Sequence, residues 1–473
     1  MEDTRSGLSD CIGADMAERV LLLLLITALG AFFCRKVHLK VRLLCLSRLA
    51  KGTSEKPQLI CKPSALASYL LLHCASLGEP STPKWPWGDP HVQTLASLAW
   101  PLGQVERIDF ARDHIQMKDG GVVALDWAVG ITGIRERNWK AAPPFSSPPV
   151  MLIIPNSWGQ VTGYVLGLCR LALEQGFYPV LFQRRGQSGC PLVTPKFQQF
   201  GDPSDLIEAV SYIRYRYPGA ALVAVSEGSG SGLLLSYLGE CGSSSYLTCA
   251  ACVSPVFRGQ QWFESRLHWL YRWALLFCHK LPVSRYATAL SQVLDVDRLL
   301  SCSSLQQFEE ILFCGHSSEN VPKLNWESYW EKNEPLRDAD EVAVPVLCLC
   351  SWDDPIRGDP ALSVPFELFE SSPYFFLVLT RMGGHCGFSP DSNGSVQCWS
   401  QALLLEYFRG VAEFLRMEER RPLSSGSPRR RTATLLPRRR RGTVQQRDPP
   451  LRRALPVSFS SEDLFSWQRS YTR

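Results

Sequence analysis

Ala220-Ala221-Leu222-Val223-Ala224-Val225 runs directly into Ser226-Glu227-Gly228-Ser229-Gly230-Ser231-Gly232 and then into an apolar stretch beginning Leu233-Leu234-Leu235. An apolar run of strand length, closed by a cluster of Gly and Ser and followed by a helix-like segment, reads as strand, tight turn, helix. Working outward, strands are expected at 150–154, 178–183, 247–253, 344–350 and 374–379. Helices are expected at 161–175, 204–217, from near Gly230, and over 398–419. Such alternation specifies an α/β fold with a mostly parallel central sheet and helices on both faces. The Trp-, Phe- and Leu-rich segment 256–340 interrupts the rhythm and reads as a helical cap inserted over the carboxyl ends of the strands.

Three features fall on those strand ends. The Gly/Ser turn has the small residues that a strained nucleophile elbow requires. Ser351-Trp352-Asp353-Asp354-Pro355-Ile356 follows the next-to-last strand and can present a carboxylate, and Arg381-Met382-Gly383-Gly384-His385-Cys386-Gly387-Phe388 follows the last, with His385 among glycines. Elbow, acid, histidine is the chain order of the α/β-hydrolase triad. Each feature alone is weak; a lone histidine is more often structural.

Trp85-Pro86-Trp87 with His91-Val92-Gln93-Thr94, Asp119-Gly120-Gly121 with Leu125-Asp126-Trp127, Arg185-Gly186, Tyr237-Leu238-Gly239-Glu240, Asp353-Asp354-Pro355 and Gly383-Gly384-His385 recur in order over roughly 85–415. In this the chain resembles the AB hydrolase 4 family of membrane-anchored lipid esterases and acyltransferases. The resemblance implies an α/β-hydrolase fold, Asp354 as the triad acid and His385 as the general base. Asp354 is preferred to Asp353 because Asp-x-Ile places it at the acid's usual point after the strand.

The nucleophile does not carry over. Nine residues before Tyr237, where the family has its serine, stands Gly228, and the turn contains no G-x-S-x-G. Where the family has His-Gly at the oxyanion loop, this chain has Pro155-Asn156, then Ser157, Trp158 and Gly159. Losing one oxyanion donor is worth about 2.7–4 kcal/mol, and losing a triad serine costs on the order of 10⁶ in turnover. Two functions from different classes follow. One is a non-catalytic hydrolase fold, retained as a membrane-tethered regulator or scaffold of lipid metabolism that binds a protein partner, a lipid, or both. The other is an active serine hydrolase or acyltransferase on lipid esters, in which Ser229 rotates onto the elbow and His385 deprotonates it. Against the second, a one-residue shift around a strained turn moves the side chain away from the site, and Glu227 would repel a developing oxyanion. A flexible Gly/Ser loop with no site is the plainest alternative.

Composition sets the frame. The chain has 473 residues, 45% hydrophobic and 20% charged, which excludes a wholly disordered, collagenous or coiled-coil protein. Its formal charge of +5 is unevenly spread: −3 over 1–19, +6 over 35–51, +11 over 420–473, and −9 over 52–419. The expected organisation is a membrane anchor or signal segment with a basic collar at 1–51, a linker at 52–84, the hydrolase domain at 85–419, and a disordered arginine-rich tail at 420–473. The run from Val20 to Cys34 carries no charge, acids precede it and Arg35, Lys36, Lys40 and Arg42 follow it. These flanks favour a single-pass anchor with a cytosolic body, in a thin membrane such as the endoplasmic reticulum. Ala28-Leu29-Gly30 keeps open a cleaved signal peptide and secretion. Cys34 and Cys45 beside the run are acylation candidates.

The seventeen cysteines show no disulfide framework and fit reduced thiols. Cys249 and Cys252, three apart in a strand, should face opposite ways and hold neither metal nor disulfide. No metal set, dinucleotide fingerprint or phosphate loop appears, so no cofactor is expected. The implied partners are a lipid or acyl-ester ligand, the membrane, a cytosolic protein met through tail or body, and a kinase acting on the tail, where Thr432 and Thr443 follow arginine pairs. The acidic body argues against nucleic acid.

Overall fold

The computed structural model describes residues 57–78, 88–98, 108–131, 145, 147–265, 267–314, 324–388 and 398–420. The amino-terminal apolar run, Cys34, Cys45, the basic collar, Trp85-Pro86-Trp87 and the tail beyond Arg420 lie outside the described residues. Among the described residues no helix is long and apolar enough to cross a membrane.

Among the described residues nine strands form one sheet: β1 Gln58–Ile60, β2 Ile108–Gln116, β3 Val122–Ile131, β4 Val150–Ile154, β5 Tyr178–Gln183, β6 Leu222–Glu227, β7 Cys249–Val253, β8 Val346–Ser351 and β9 Phe375–Thr380. Their order is β1-β9-β8-β7-β6-β4-β5-β3-β2. The pairs from β5 through β4, β6, β7 and β8 to β9 are parallel, whereas β2–β3, β3–β5 and β1–β9 are antiparallel. This is the α/β-hydrolase fold. The central strands are buried on both faces, and their alternate residues feed two cores. Leu222 and Ala224 of β6 join the cluster on one face, Val223 and Val225 the cluster on the other. Cys252 and Cys249 of β7 divide in the same way, as the period of two requires.

The helices Gly259–Glu264, Trp269–Arg285, Val296–Ser301, Leu305–Phe313 and Trp326–Asn333 build the cap around a third core containing Trp158, Phe200, Trp262, Phe308 and Trp330. That core continues into the body through Trp158 and Phe200, so the cap is seated directly over the carboxyl ends of β4 and β5.

Two parts of the sheet differ from expectation. The β2–β3 hairpin and β1 are additional strands. The segment 52–84, expected as a linker, belongs in part to the domain. β1 pairs with β9, and the helix Ala65–His73, capped by the Ser64 hydroxyl on Ala67 N, buries Leu66 and Leu70 in the same core as the last helix, Trp399–Arg420. The reason is that 65–74 is apolar nearly all round, and packing on the last helix covers Leu66, Ala67, Leu70 and Cys74. A fully buried leucine is stabilised by about 1.5–3 kcal/mol relative to an exposed one.

Candidate functional site

The chain leaves β6 at Glu227 and turns through a single 3₁₀ turn, Gly228–Gly230, into the helix Ser231–Cys241. The tip of this turn is Gly228, at φ +50°, a backbone conformation that costs any residue with a Cβ. Gly230 is required for a different reason: a Cβ there would lie 2.3 Å from the carbonyl oxygen of Pro155, on the neighbouring loop after β4.

Opposite the tip stands His385. Its Nδ1 lies 2.9 Å and 3.1 Å from the two carboxylate oxygens of Asp354. Oδ1 of Asp354 also accepts from the backbone N–H groups of Ile356 and Arg357, each at 2.8 Å. The neighbouring Asp353 has another task, accepting from Gly384 N at 2.9 Å. The backbone of His385 is clamped from both sides: its N–H donates to Thr94 Oγ1 at 2.9 Å, and its carbonyl accepts from Ser97 Oγ at 3.0 Å. These two hydroxyls sit on the helix Pro90–Leu98, and the motif His91-Val92-Gln93-Thr94 was the signal in the sequence that could have pointed to them.

His385 and Asp354 are both buried. Burial by itself lowers the imidazole and raises the carboxyl, but the mutual attraction outweighs it. His385 ends well above its ordinary value and Asp354 below its own. Glu227, whose carboxyl feels the charge of His385, is wholly enclosed. Burial pushes it up to about 7, against the hydroxyl of Thr162, the amide of Asn156 and the charge of His385. Thr162 Oγ1 donates to it at 2.5 Å and Asn156 Nδ2 at 3.2 Å. Neither residue was singled out from the sequence as a partner of Glu227.

The structure thus brings Asp354, His385 and Gly228 together. A Cβ built on Gly228 would lie 2.8 Å from His385 Nε2, closer than carbon and nitrogen ordinarily approach. The imidazole is packed into the space that a side chain at the tip would use. Ser229, by contrast, turns to the oxyanion loop. Its Oγ accepts from Ser157 N at 2.9 Å and lies 2.8 Å from Ser157 Oγ. The backbone donor that Ser157 offers is therefore already engaged, by a hydroxyl of the same chain. Trp158, next on the loop, is buried in the cap core and meets His279 edge to face. Among the described residues no group of three or more His, Cys, Asp or Glu is placed to hold a metal ion.

Chemically, the arrangement has an ordered acid–histidine pair, no hydroxyl at the tip, and an oxyanion-loop amide that is occupied. Comparison with known proteins gives the following. No family model matches the chain. Human "Protein ABHD15" is 51% identical over 419 residues, covering 88% of this chain and 85% of that protein. Mouse "Phospholipase ABHD3" is 30% identical over 72% of this chain and 80% of its own length. Human "Monoacylglycerol lipase ABHD2" is 24% identical over 77% of this chain and 88% of its own.

Proposed function

The chain belongs to the AB hydrolase 4 family, and from that premise we propose that it is a non-catalytic member. In this reading it is a membrane-tethered regulator or scaffold of lipid metabolism that uses the hydrolase fold to bind a lipid, a protein partner, or both. The observation that carries the reading is that His385 Nε2 would lie only 2.8 Å from a Cβ at Gly228. A triad needs an oxygen between those two groups, and the ring has taken its room. Two further features agree. Ser229 Oγ holds the Ser157 amide that a tetrahedral oxyanion would need, so substrate would have to displace an internal hydrogen bond before being stabilised. Glu227, buried beside the imidazole, would when ionised oppose the negative charge of a tetrahedral intermediate. Relatives named as a phospholipase and a monoacylglycerol lipase support a lipid as the ligand class.

The test is labelling of the full chain by a fluorophosphonate probe beside an active lipid esterase, with Ser229→Ala in parallel. No labelling above background is expected of either form. Labelling of the wild type that disappears in Ser229→Ala would replace this reading with an active enzyme using Ser229, His385 and Asp354.

A further inference from the structure

Between the cap and the strand ends lies a cavity that the acid–histidine pair does not use, lined by Arg184, Gln187, Gln198 and His279 with aromatic walls from Phe200, Phe263 and Phe308. Arg184, which directly follows β5, is 6% exposed, and its Nη2 has no hydrogen-bond partner. Its neighbour Arg185 is fully spent, donating to both Asp205 and Asp119 at 2.6–2.9 Å. The carboxyl closest in character to a counter-ion for Arg184, Glu309, accepts from Tyr329 Oη at 2.6 Å, and burial pushes it up to about 7, so it is only a partial anion near neutrality. Leaving a guanidinium hydrogen unmatched in such a place is unfavourable.

Three more buried atoms in the lining share this state: Gln187 Oε1, Gln198 Oε1 and His279 Nε2. The two amides are oriented without ambiguity. Gln187 Nε2 donates to the Ser157 carbonyl at 2.8 Å and Gln198 Nε2 to the Asp202 carbonyl at 3.1 Å, so both oxygens remain as acceptors. Burial lowers His279 to about 4, which leaves a neutral imidazole. The cavity therefore presents one cationic donor, two acceptors in search of donors, and an uncharged ring nitrogen.

We infer that this cavity is a binding site for a singly charged oxoanion bearing hydroxyls, of the glycerophosphodiester kind, with the anion on Arg184 and the hydroxyls donating to Gln187 and Gln198. One cation, partly offset by Glu309 in the same lining, suits a singly charged anion better than a doubly charged one, and hydroxyl donors satisfy what the amides lack. The aromatic walls accommodate the carbon skeleton. The site uses neither Gly228 nor His385, although it borders the oxyanion loop through Ser157, whose carbonyl holds Gln187.

The source of the group, a free small molecule or a lipid head, is separated by the test. The melting temperature of the full chain in lipid nanodiscs is followed with glycerophosphoglycerol, with oleoyl lysophosphatidylglycerol, and with monooleoylglycerol, which has the hydroxyls and the chain but no anion. A rise with glycerophosphoglycerol identifies a free small molecule as sufficient, and a rise with the lysolipid alone identifies a lipid head. Monooleoylglycerol is expected to give no rise. Arg184→Met removes the cation and is expected to bind at least tenfold more weakly. Gln198→Met, which leaves Arg184 in place, is expected to weaken binding severalfold and guards against a folding failure of the first variant. No rise with either anionic probe, an equal rise with monooleoylglycerol, or unchanged binding in both variants would overturn the inference.

Discussion

At the scale of single residues, the site turns on two neighbours, a glycine where an active elbow has its serine and a serine one place later. Gly228 holds the tip without a side chain, and Ser229 carries the hydroxyl one place too late, where it satisfies Ser157. Restoring a serine at the tip is therefore expected to be insufficient. In Gly228→Ser the new Cβ meets His385 Nε2 at 2.8 Å, so either the ring retreats from Asp354 or the turn is strained, at about 1–3 kcal/mol. Adding Ser229→Gly frees the Ser157 amide. Because one oxyanion donor is worth about 2.7–4 kcal/mol, the double variant is expected to label with fluorophosphonate on the order of 100-fold faster than Gly228→Ser. Equal rates would show that the Ser229–Ser157 bond does not obstruct the site. Glu227 offers a pH test. Its folded-state pKa of about 7 lies above the ordinary 4.5, so the fold holds its proton more tightly than the unfolded chain does. That contribution is fully present below pH 4.5 and is lost as pH rises through 7. The loss amounts to about 3 kcal/mol at most. Glu227→Gln keeps the shape and removes the titration, so its stability relative to wild type is expected to improve between pH 5 and pH 8. A pH-independent difference in melting temperature would contradict the assignment.

At the scale of elements, what the sequence made legible divides along physical lines. β4 and β5 begin and end where the apolar runs do, because strands buried on both faces are written as unbroken apolar segments. The order of elbow, acid and histidine was equally plain, since each follows a strand and is bracketed by glycine or proline. The β2–β3 hairpin was harder. β2 reads Ile-Asp-Phe-Ala-Arg-Asp-His-Ile-Gln and is mostly exposed or half-buried, so its polarity disguised a strand that exists through its partner. It is tied by ion pairs invisible in one dimension: Arg112 to Asp126 across the middle of the hairpin, and Arg185 joining the turn at Asp119 to Asp205 on the helix Ser204–Arg216. β1 was missed because three residues carry too little pattern, and the helix after it because its apolar residues surround it rather than form one stripe. In the candidate site, residue types and order were readable, but direction was not. Whether Ser229 faces His385 or Ser157 depends on how β6 and the β4 loop sit side by side, a relation between segments about seventy residues apart.

At the scale of the whole molecule, the uneven charge bears on where the chain works. The body carries −9 over 52–419 and the tail +11 over 420–473, so the tail has two electrostatic destinations, its own body or an anionic membrane. Several body acids are already matched: Asp119 and Asp205 by Arg185, Asp126 by Arg112, and Asp113 by Arg216. Against the remaining acids the tail would form exposed ion pairs, each worth about 0–1 kcal/mol. A leaflet containing anionic lipid offers a continuous negative surface, worth about 1 kcal/mol for each basic residue near it. The three arginine clusters at 429–431, 438–441 and 452–453 suit that surface better than scattered carboxylates. A peptide of residues 420–473 is therefore expected to sediment with vesicles containing phosphatidylserine and not with pure phosphatidylcholine, and to be released by salt as the Debye length shrinks. Added full chain lacking 422–473 is expected not to compete it away. A phosphate at Thr432 or Thr443 brings about −1.5 to −2 charges into the arginine clusters, so a peptide phosphorylated at both sites should bind several-fold more weakly. Salt-resistant binding, or efficient competition by the acidic body, would place the tail on the protein and not on the membrane.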